Sequence, residues 1–332
     1  MPPEAVSIRD MRNAVQTLAG VVRETPLLSS PSLDGEVGAR VLVKAESLQL
    51  TGSFKMRGAY YRLTKLDTNE RRAGVVAFSS GNFAQGLAAA GALLSIPVTI
   101  VMPADAPEAK IMATRSYGAH VVLTDHGARN REVVANERAR AISSETGAIL
   151  LHPFDDPHIV AGQSTVTIEM LQQAGDLGVS LDAVLVPVGG GGLIAGCALA
   201  CDQSQSRPDV YAVEPAGYDD FSRSLTMGER LRNETNPVTL CDALQASSPG
   251  AVTFAVAQGR VARGIAVDDA LVCRAMALAF RHLKIVLEPS GAVALAATLS
   301  GDLDLKGKSI AVLATGGNVS LEDFTRLTVP RP

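Results

Sequence analysis

Short apolar runs rich in Val, Ile and Leu recur along almost the whole chain, separated by alanine-rich stretches. "RVLVKAE", "GVVAFSS", "PVTIVMP", "AHVVLT", "GAILLHP", "DAVLVPV", "DVYAVEP" and "KSIAVLAT" are continuously apolar rather than alternating. A strand that is apolar on both sides must be covered on both faces, which is the condition of parallel strands. Between the runs lie segments with helical character: about Phe54 to Leu66, "FAQGLAAAGALLS", "DAPEAKIMATRSYG", 128–146, 157–174, "GLIAGCALACDQ", "DALVCRAMALAFRHL" and "GAVALAATLS". This repetition predicts an α/β protein with two open, twisted, mostly parallel sheets and helices on both faces. Residues 74–151 form a compact βαβαβαβ run. They are expected to be a small substrate-closing domain inserted into a large cofactor-binding domain made of 1–73 and 152–332.

With 332 residues, 47% of them apolar and 19% charged, the chain can build a large core. A net charge of -4 without a basic stripe argues against nucleic acid as a partner. The start, "MPPEAVSIRD", has early acid and no apolar h-region, so it does not read as a signal peptide. The longest apolar runs are interrupted by Gly, Pro and Ser and do not read as membrane spans. Cys197, Cys201, Cys241 and Cys273 form no CxxC pair and read as reduced, buried thiols, so a cytoplasmic protein is expected.

Ligands of open α/β sheets sit beyond the carboxyl ends of strands. After "DAVLVPV" come Gly189, Gly190, Gly191 and Gly192, which open a helix. Side-chain-free backbone at a helix start offers several N–H groups to an anion; the plainer reading is a tight turn. Gly190-x-Gly192-x-x-Ala195 with Glu214 also fits a loose dinucleotide fingerprint, so NAD stays open at this point. After "GVVAF" come Ser79, Ser80, Gly81 and Asn82, a second anion-binding turn or an N-cap. Thr315 ends the last strand before two glycines. Glu214, Asp219 and Asp220 could hold a hard cation with a backbone carbonyl, or form a solvated acidic loop. Lys55 stands between Phe54 and Met56 in "LTGSFKMRGA". The scattered histidines offer no triad or zinc spacing, and His152 reads as structural.

Seven motifs in order carry a resemblance: "TGSFKMRGA", "SSGNFAQG", "HPFDDPHIVAGQST", "PVGGGGLIAG", "EPAGYDD", "LEPSGA" and "TGGNVS". From about residue 8 to 322 the chain resembles the fold-type II pyridoxal-phosphate enzymes (tryptophan synthase β-like), in their threonine/serine dehydratase and serine racemase branch. The resemblance implies that Lys55 forms the Schiff base with pyridoxal 5'-phosphate and that Phe54 packs on its ring. It implies that Gly189–Gly192 hold the phosphate, Asn82 bonds the ring hydroxyl and Thr315 faces the pyridine nitrogen. Ser79, Ser80, Gly81, Asn82 and Phe83 would meet a small amino-acid substrate, with Ser80 able to act on the opposite face of Cα. Glu214, Asp220 and the carbonyl of Tyr218 match a site for Mg2+, Mn2+ or Ca2+, and a homodimer is expected.

A freed neutral lysine would take the Cα proton of a β-hydroxy α-amino acid, the hydroxyl would leave, and a 2-oxo acid and ammonia would follow. A hydroxyl at position 315 favours this elimination over transamination, because it leaves the pyridine nitrogen largely unprotonated. The family commonly has His where this chain has Phe83, which alters the pocket. Arg131 lies near where an arginine could meet a second carboxylate. The expected activity is therefore a threonine/serine-type dehydratase. The alternatives are a racemase with side dehydratase activity and a 3-hydroxyaspartate or phenylserine dehydratase. More remote are an NAD-dependent dehydrogenase and a non-enzymatic sensor.

Overall fold

The computed structural model describes residues 6–79, 81–106, 108–129, 131–235 and 237–329, the side chain of Glu132 excepted. In chain order the strands are β1 (Leu27–Leu28), β2 (Arg40–Ala45), β3 (Val75–Phe78), β4 (Val98–Pro103) and β5 (His120–Thr124). They continue with β6 (Ile149–Leu151), β7 (Ala183–Pro187), β8 (Asp209–Pro215), β9 (Arg263–Val267) and β10 (Ser309–Ala314). Six form one sheet in the order β1-β2-β10-β7-β8-β9, and four form another in the order β5-β4-β3-β6. Every pairing is parallel except β1 with β2, where Leu27 faces Lys44. The α/β class with two mostly parallel sheets is what the continuous apolar runs predict.

The two-sided burial is visible residue by residue. On β10, Ile310, Val312 and Ala314 pack into one core while Ala311 and Leu313 pack into the other. On β7, Ala183 and Leu185 divide from Val184 and Val186 in the same way. In the four-stranded sheet Val75 and Ala77 face one layer, Val76 and Phe78 the opposite one. Two strands differ from expectation. β1 is two residues long, too short to leave a pattern. β9 is an edge strand whose Arg263 and Ala266 are exposed, so its apolar run is broken. Helices at Ile8–Leu18, Pro31–Val37, Thr68–Ala73, Ala251–Ala257 and Leu321–Thr328 also join the expected set.

The helix Lys55–Thr64 packs on the helices Asn82–Leu94 and Pro157–Asp176. Glycine sets these spacings. A Cβ on Gly162 would stand 2.6 Å from the Cα of Gly58, and a Cβ on Gly86 3.0 Å from the carbonyl carbon of Lys55. Real side chains do not tolerate the first of these distances. Among the described residues, no helix is long and apolar enough to cross a membrane.

Candidate active site

A cavity of about 610 Å³ opens where the carboxyl ends of β3, β4, β7 and β10 converge. Phe54, Lys55, Ser79, Gly81, Asn82, Phe83, Arg131, Gly189–Gly192, Tyr218 and Thr315 all line it. Glu214 and Asp220 lie outside this lining, and Ser80 lies outside the described residues.

Lys55 is the first residue of its helix. The preceding loop is fastened to the segment after β10 largely through backbone, with the Asn318 amide also donating to Thr51 O at 2.9 Å. Phe54 N–H donates to Thr315 O at 3.1 Å and Gly317 N–H to Gly52 O at 2.9 Å, with a bridge between Ser53 and Gly316. This pairing brings Lys55 and Thr315 to one wall. The Lys55 ammonium stands 5.0 Å from the centroid of the Phe54 ring and 3.5 Å from Pro153 O. Protein atoms crowd it, although the side chain remains partly open to the cavity. Loss of hydration lowers its pKa from the ordinary lysine value to about 8, and no carboxylate among the described residues forms an ion pair with it. A lysine in that state is a usable base or nucleophile near neutral pH.

Behind Lys55 the helix is held by charge. Arg57, 1% exposed, donates to Glu46 at 2.9 and 2.7 Å and to Glu169 at 2.9 and 3.1 Å. Lys44, also buried, joins Glu169 at 2.5 Å and Gln173 at 2.8 Å. Burial alone would raise the pKa of Glu46, but the Arg57 guanidinium, the Thr25 hydroxyl and the Lys44 ammonium together hold the carboxyl below its ordinary value. Two cations and two anions thus close on one another beneath the helix that carries the lysine.

Opposite Lys55, Gly191 takes φ +97° and caps the helix Gly192–Asp202. A Cβ on Gly190 would run into the Phe154 ring, and one on Gly192 would approach Phe154 Cβ at 3.0 Å. Among the described residues, no protein acceptor takes the N–H groups of Gly189, Gly190 or Gly191. Unclaimed N–H groups at a helix N-terminus suit a phosphate. Phe154 is steadied edge-on by His152, with centroids 4.5 Å apart. His152 Nδ1 accepts from Asp155 N–H at 3.0 Å. Burial lowers the His152 pKa, so it serves the turn as a neutral ring.

Asn82 is more committed than its place in "SSGN" suggests. Its Nδ2 donates to Glu288 Oε1 at 2.5 Å, and its Oδ1 accepts from Asn318 at 2.8 Å. Glu288 lines the cavity, and sequence reasoning missed it. Burial pushes its pKa up to about 7, with Lys110 opposing the rise and Asp242 adding to it. The available signal was Glu directly before Pro289 at a helix start. Arg57, Glu46 and Glu169 were also missed, since partners 11 and 112 positions apart leave no local pattern.

At the rim, Ser79 Oγ accepts from Gly81 N–H at 3.3 Å. Phe83 is 2% exposed and packs with Met56, Ala59 and Leu87, so its ring is both core and cavity wall. Arg131 reaches Asp105 at 3.5 Å. Lys110 pairs with Asp242, joining the helix Glu108–Ser116 to the short turn Asp242–Leu244.

Glu214 and Asp220 are both buried. Glu214 accepts from Phe221 N–H at 2.9 Å, from Ser222 N–H at 2.8 Å and from the Ser222 hydroxyl. Burial still pushes its pKa up to about 8 and that of Asp220 up to about 6. Among the described residues, no group of three or more His, Cys, Asp or Glu side chains could hold a metal ion.

The sequence profile of the pyridoxal-phosphate dependent enzyme family matches residues 18–316. The chain belongs to that family. It is 40% identical over 321 residues to an L-threo-3-hydroxyaspartate ammonia-lyase of Pseudomonas sp, covering 97% of this chain and 98% of the relative. It is 39% identical to an L-threonine ammonia-lyase of Thermotoga maritima, covering 97% of this chain and 78% of the relative. Among solved structures, maize serine racemase superposes with a TM-score of 0.90 at 35% identity, covering 97% of each chain.

Proposed function

We propose that this protein is a pyridoxal-phosphate-dependent ammonia-lyase that dehydrates a β-hydroxy α-amino acid of the threonine/serine type to a 2-oxo acid and ammonia. The observation that carries the reading is the cavity itself: a lysine with its pKa near 8 faces unclaimed backbone N–H groups at a helix N-terminus. The residues fit the cofactor. Gly189–Gly191 offer unclaimed backbone N–H groups on a loop that packs too closely on Phe154, Phe221 and Thr253 for side chains, Lys55 supplies an amine, and Phe54 offers an aromatic face beside it. Pyridoxal phosphate, when bound, supplies the electron sink for charge developing at Cα.

The chain's own groups do the rest. Lys55, whose neutral form burial makes more accessible, takes the Cα proton. Ser79, Gly81 and the start of the helix Asn82–Leu94 receive the α-carboxylate, with Ser80 between them in sequence. Glu288 and Asn318 fix the Asn82 amide, and Thr315 offers a neutral hydroxyl. Residues 74–151 act as the closing domain, which Lys110 and Asp242 tie to the opposite wall. The ammonia-lyase names of the similar chains from Pseudomonas and Thermotoga maritima support elimination as the reaction.

Two finer points belong to the same reading. Asp220 Oδ2 is buried without a hydrogen-bond partner, and Glu214 has one carboxylate lone pair left after three donors. A divalent cation such as Mg2+, Mn2+ or Ca2+ between them, with the Tyr218 carbonyl, would satisfy both. EDTA should then lower the melting temperature and Mg2+ restore it, whereas a flat response removes the cation. Exposed Leu48, Leu50 and Val286 suit a homodimer, which light scattering would read directly.

The test of function is release of 2-oxo acid from serine, threonine, 3-hydroxyaspartate and phenylserine, with chiral analysis of the remaining substrate. Borohydride should bleach the yellow holoenzyme and tag the Lys55 peptide. Enantiomer exchange with no 2-oxo acid from any substrate would replace the dehydratase reading with a racemase.

A further inference from the structure

The wall of the cavity facing the four-stranded sheet carries a charge arrangement that the reaction does not require. Asp105 follows β4 by two residues, and Arg131 opens the helix Arg131–Thr146. Both line the cavity, with the Arg131 Nη1 to Asp105 Oδ2 distance at 3.5 Å. His126 Nε2 meets the same carboxylate oxygen at 3.3 Å. The neighbouring wall is apolar, made by Phe78, Phe83, Pro103 and Ala135. Among the described residues that line the cavity, Lys55 and Arg131 are the cations, while Asp105, Asp242 and Glu288 are the carboxyl groups.

Lys55 is committed to the reacting carbon. A second carboxylate on a substrate's β-carbon would therefore turn to Arg131, and Asp105 already occupies that guanidinium. The newcomer would have to displace one carboxylate and then lie beside it. Like charges at such spacing disfavour one another, and the Asp105 carboxylate already offsets the positive charge that Arg131 would offer the newcomer. An uncharged β-substituent meets no such competitor and finds an apolar wall.

We propose that Asp105 is a specificity-determining residue: by neutralising Arg131 it turns the pocket toward β-hydroxy amino acids with an uncharged side chain and away from dicarboxylates. The proposal rests on the reading of this cavity as an amino-acid site. Asp105 and Arg131 are 51% and 42% exposed, so either can be replaced without opening the core.

Asp105→Asn keeps the shape and removes the charge. In the holoenzyme it should raise the ratio of kcat/KM for 3-hydroxyaspartate over threonine roughly tenfold, through KM. The double variant Asp105→Asn/Arg131→Gln should lose that gain. A second measurement needs no turnover: binding of L-aspartate against L-alanine, followed by the absorbance of the holoenzyme, should shift by the same factor and with the same dependence on Arg131. A ratio in Asp105→Asn within about twofold of the parent by both measurements overturns the proposal, since that is no more than an inert exposed pair would give. So does a gain that survives the loss of Arg131. If the parent enzyme turns over no β-hydroxy amino acid, the dehydratase reading fails while the binding ratio still decides the role of Asp105.

Discussion

The two sides of the cavity hold their charges in opposite ways. Behind Lys55, Arg57 makes paired bonds of 2.7–3.1 Å to Glu46 and Glu169 with almost no exposure. Across the cavity, Arg131 and His126 touch the exposed carboxylate of Asp105 through single contacts of 3.5 and 3.3 Å. A buried pair cannot be taken apart cheaply, because the partner left behind keeps its desolvation cost. An exposed pair is worth about 0–1 kcal/mol and can be exchanged freely. The buried side is thus suited to fixing where the lysine stands, and the exposed side to choosing which substrate reaches it.

The largest effect should come from the lysine held by the buried side. Lys55→Ala should lose at least ~10³-fold of the activity and the yellow colour, while melting as a folded protein. Its lowered pKa gives a second check on the cofactor-free protein. Labelling of Lys55 by an amine reagent should reach half its maximal rate at about pH 8, well below the ordinary lysine value. A Lys55 whose labelling rises only at the ordinary lysine value would remove the basis for its role as a base.

Glu46→Gln comes next and tests the network itself. It should cost about 3–5 kcal/mol in chemical denaturation at neutral pH. The pH dependence has a definite sign. The folded pKa of Glu46 lies below its unfolded value, so its contribution is complete above the unfolded carboxylate value and is lost as pH falls through the folded one. The gap between Glu46→Gln and the parent should therefore narrow in acid. A gap that is constant across that range would mean the carboxylate's charge is not what holds Arg57.

The same division explains what the sequence disclosed. Continuous apolar runs revealed eight strands because two-sided burial writes itself into adjacent residues, as on β10. β9, at an edge and exposed at Arg263, carried no such mark. Lys55, the Gly189–Gly192 loop and Thr315 were legible because ligand sites follow strand ends and glycine clusters there. Glu288 and the Arg57 network were not legible. A buried carboxyl or guanidinium looks like any other in sequence until the partner 206 or 112 residues away is in place. Phe83 was read as a pocket residue, yet the same ring also completes the core beside Met56.

A smaller loss is expected at the cradle. Gly190→Ala places a methyl group against the Phe154 ring, and the ring must turn or the loop must shift. Retention of pyridoxal phosphate on dialysis should weaken roughly 10–100-fold, the scale of one or two backbone donors moved out of reach. Phe154→Leu in the same chain should recover part of it, because the clash is with the far edge of the ring. Equal retention in parent and Gly190→Ala would mean the phosphate sits elsewhere.

The smallest effect on stability should be at the rim, and there the contrast is sharpest. Asp105→Asn removes a partner from both Arg131 and His126, yet Arg131 is 42% exposed and finds new hydration at once. Its unfolding free energy should stay within ~1 kcal/mol of the parent. Salt gives the decisive comparison, since exposed charges separated by more than about 10 Å are screened at 0.1 M and close ones progressively less. Raising ionic strength should shrink the difference that Asp105→Asn makes to dicarboxylate binding, while leaving the cost of Glu46→Gln nearly unchanged. If both effects faded together, Glu46 and Arg57 would be reached by solvent after all. If neither did, the influence of Asp105 would come from its shape in the wall rather than from its charge.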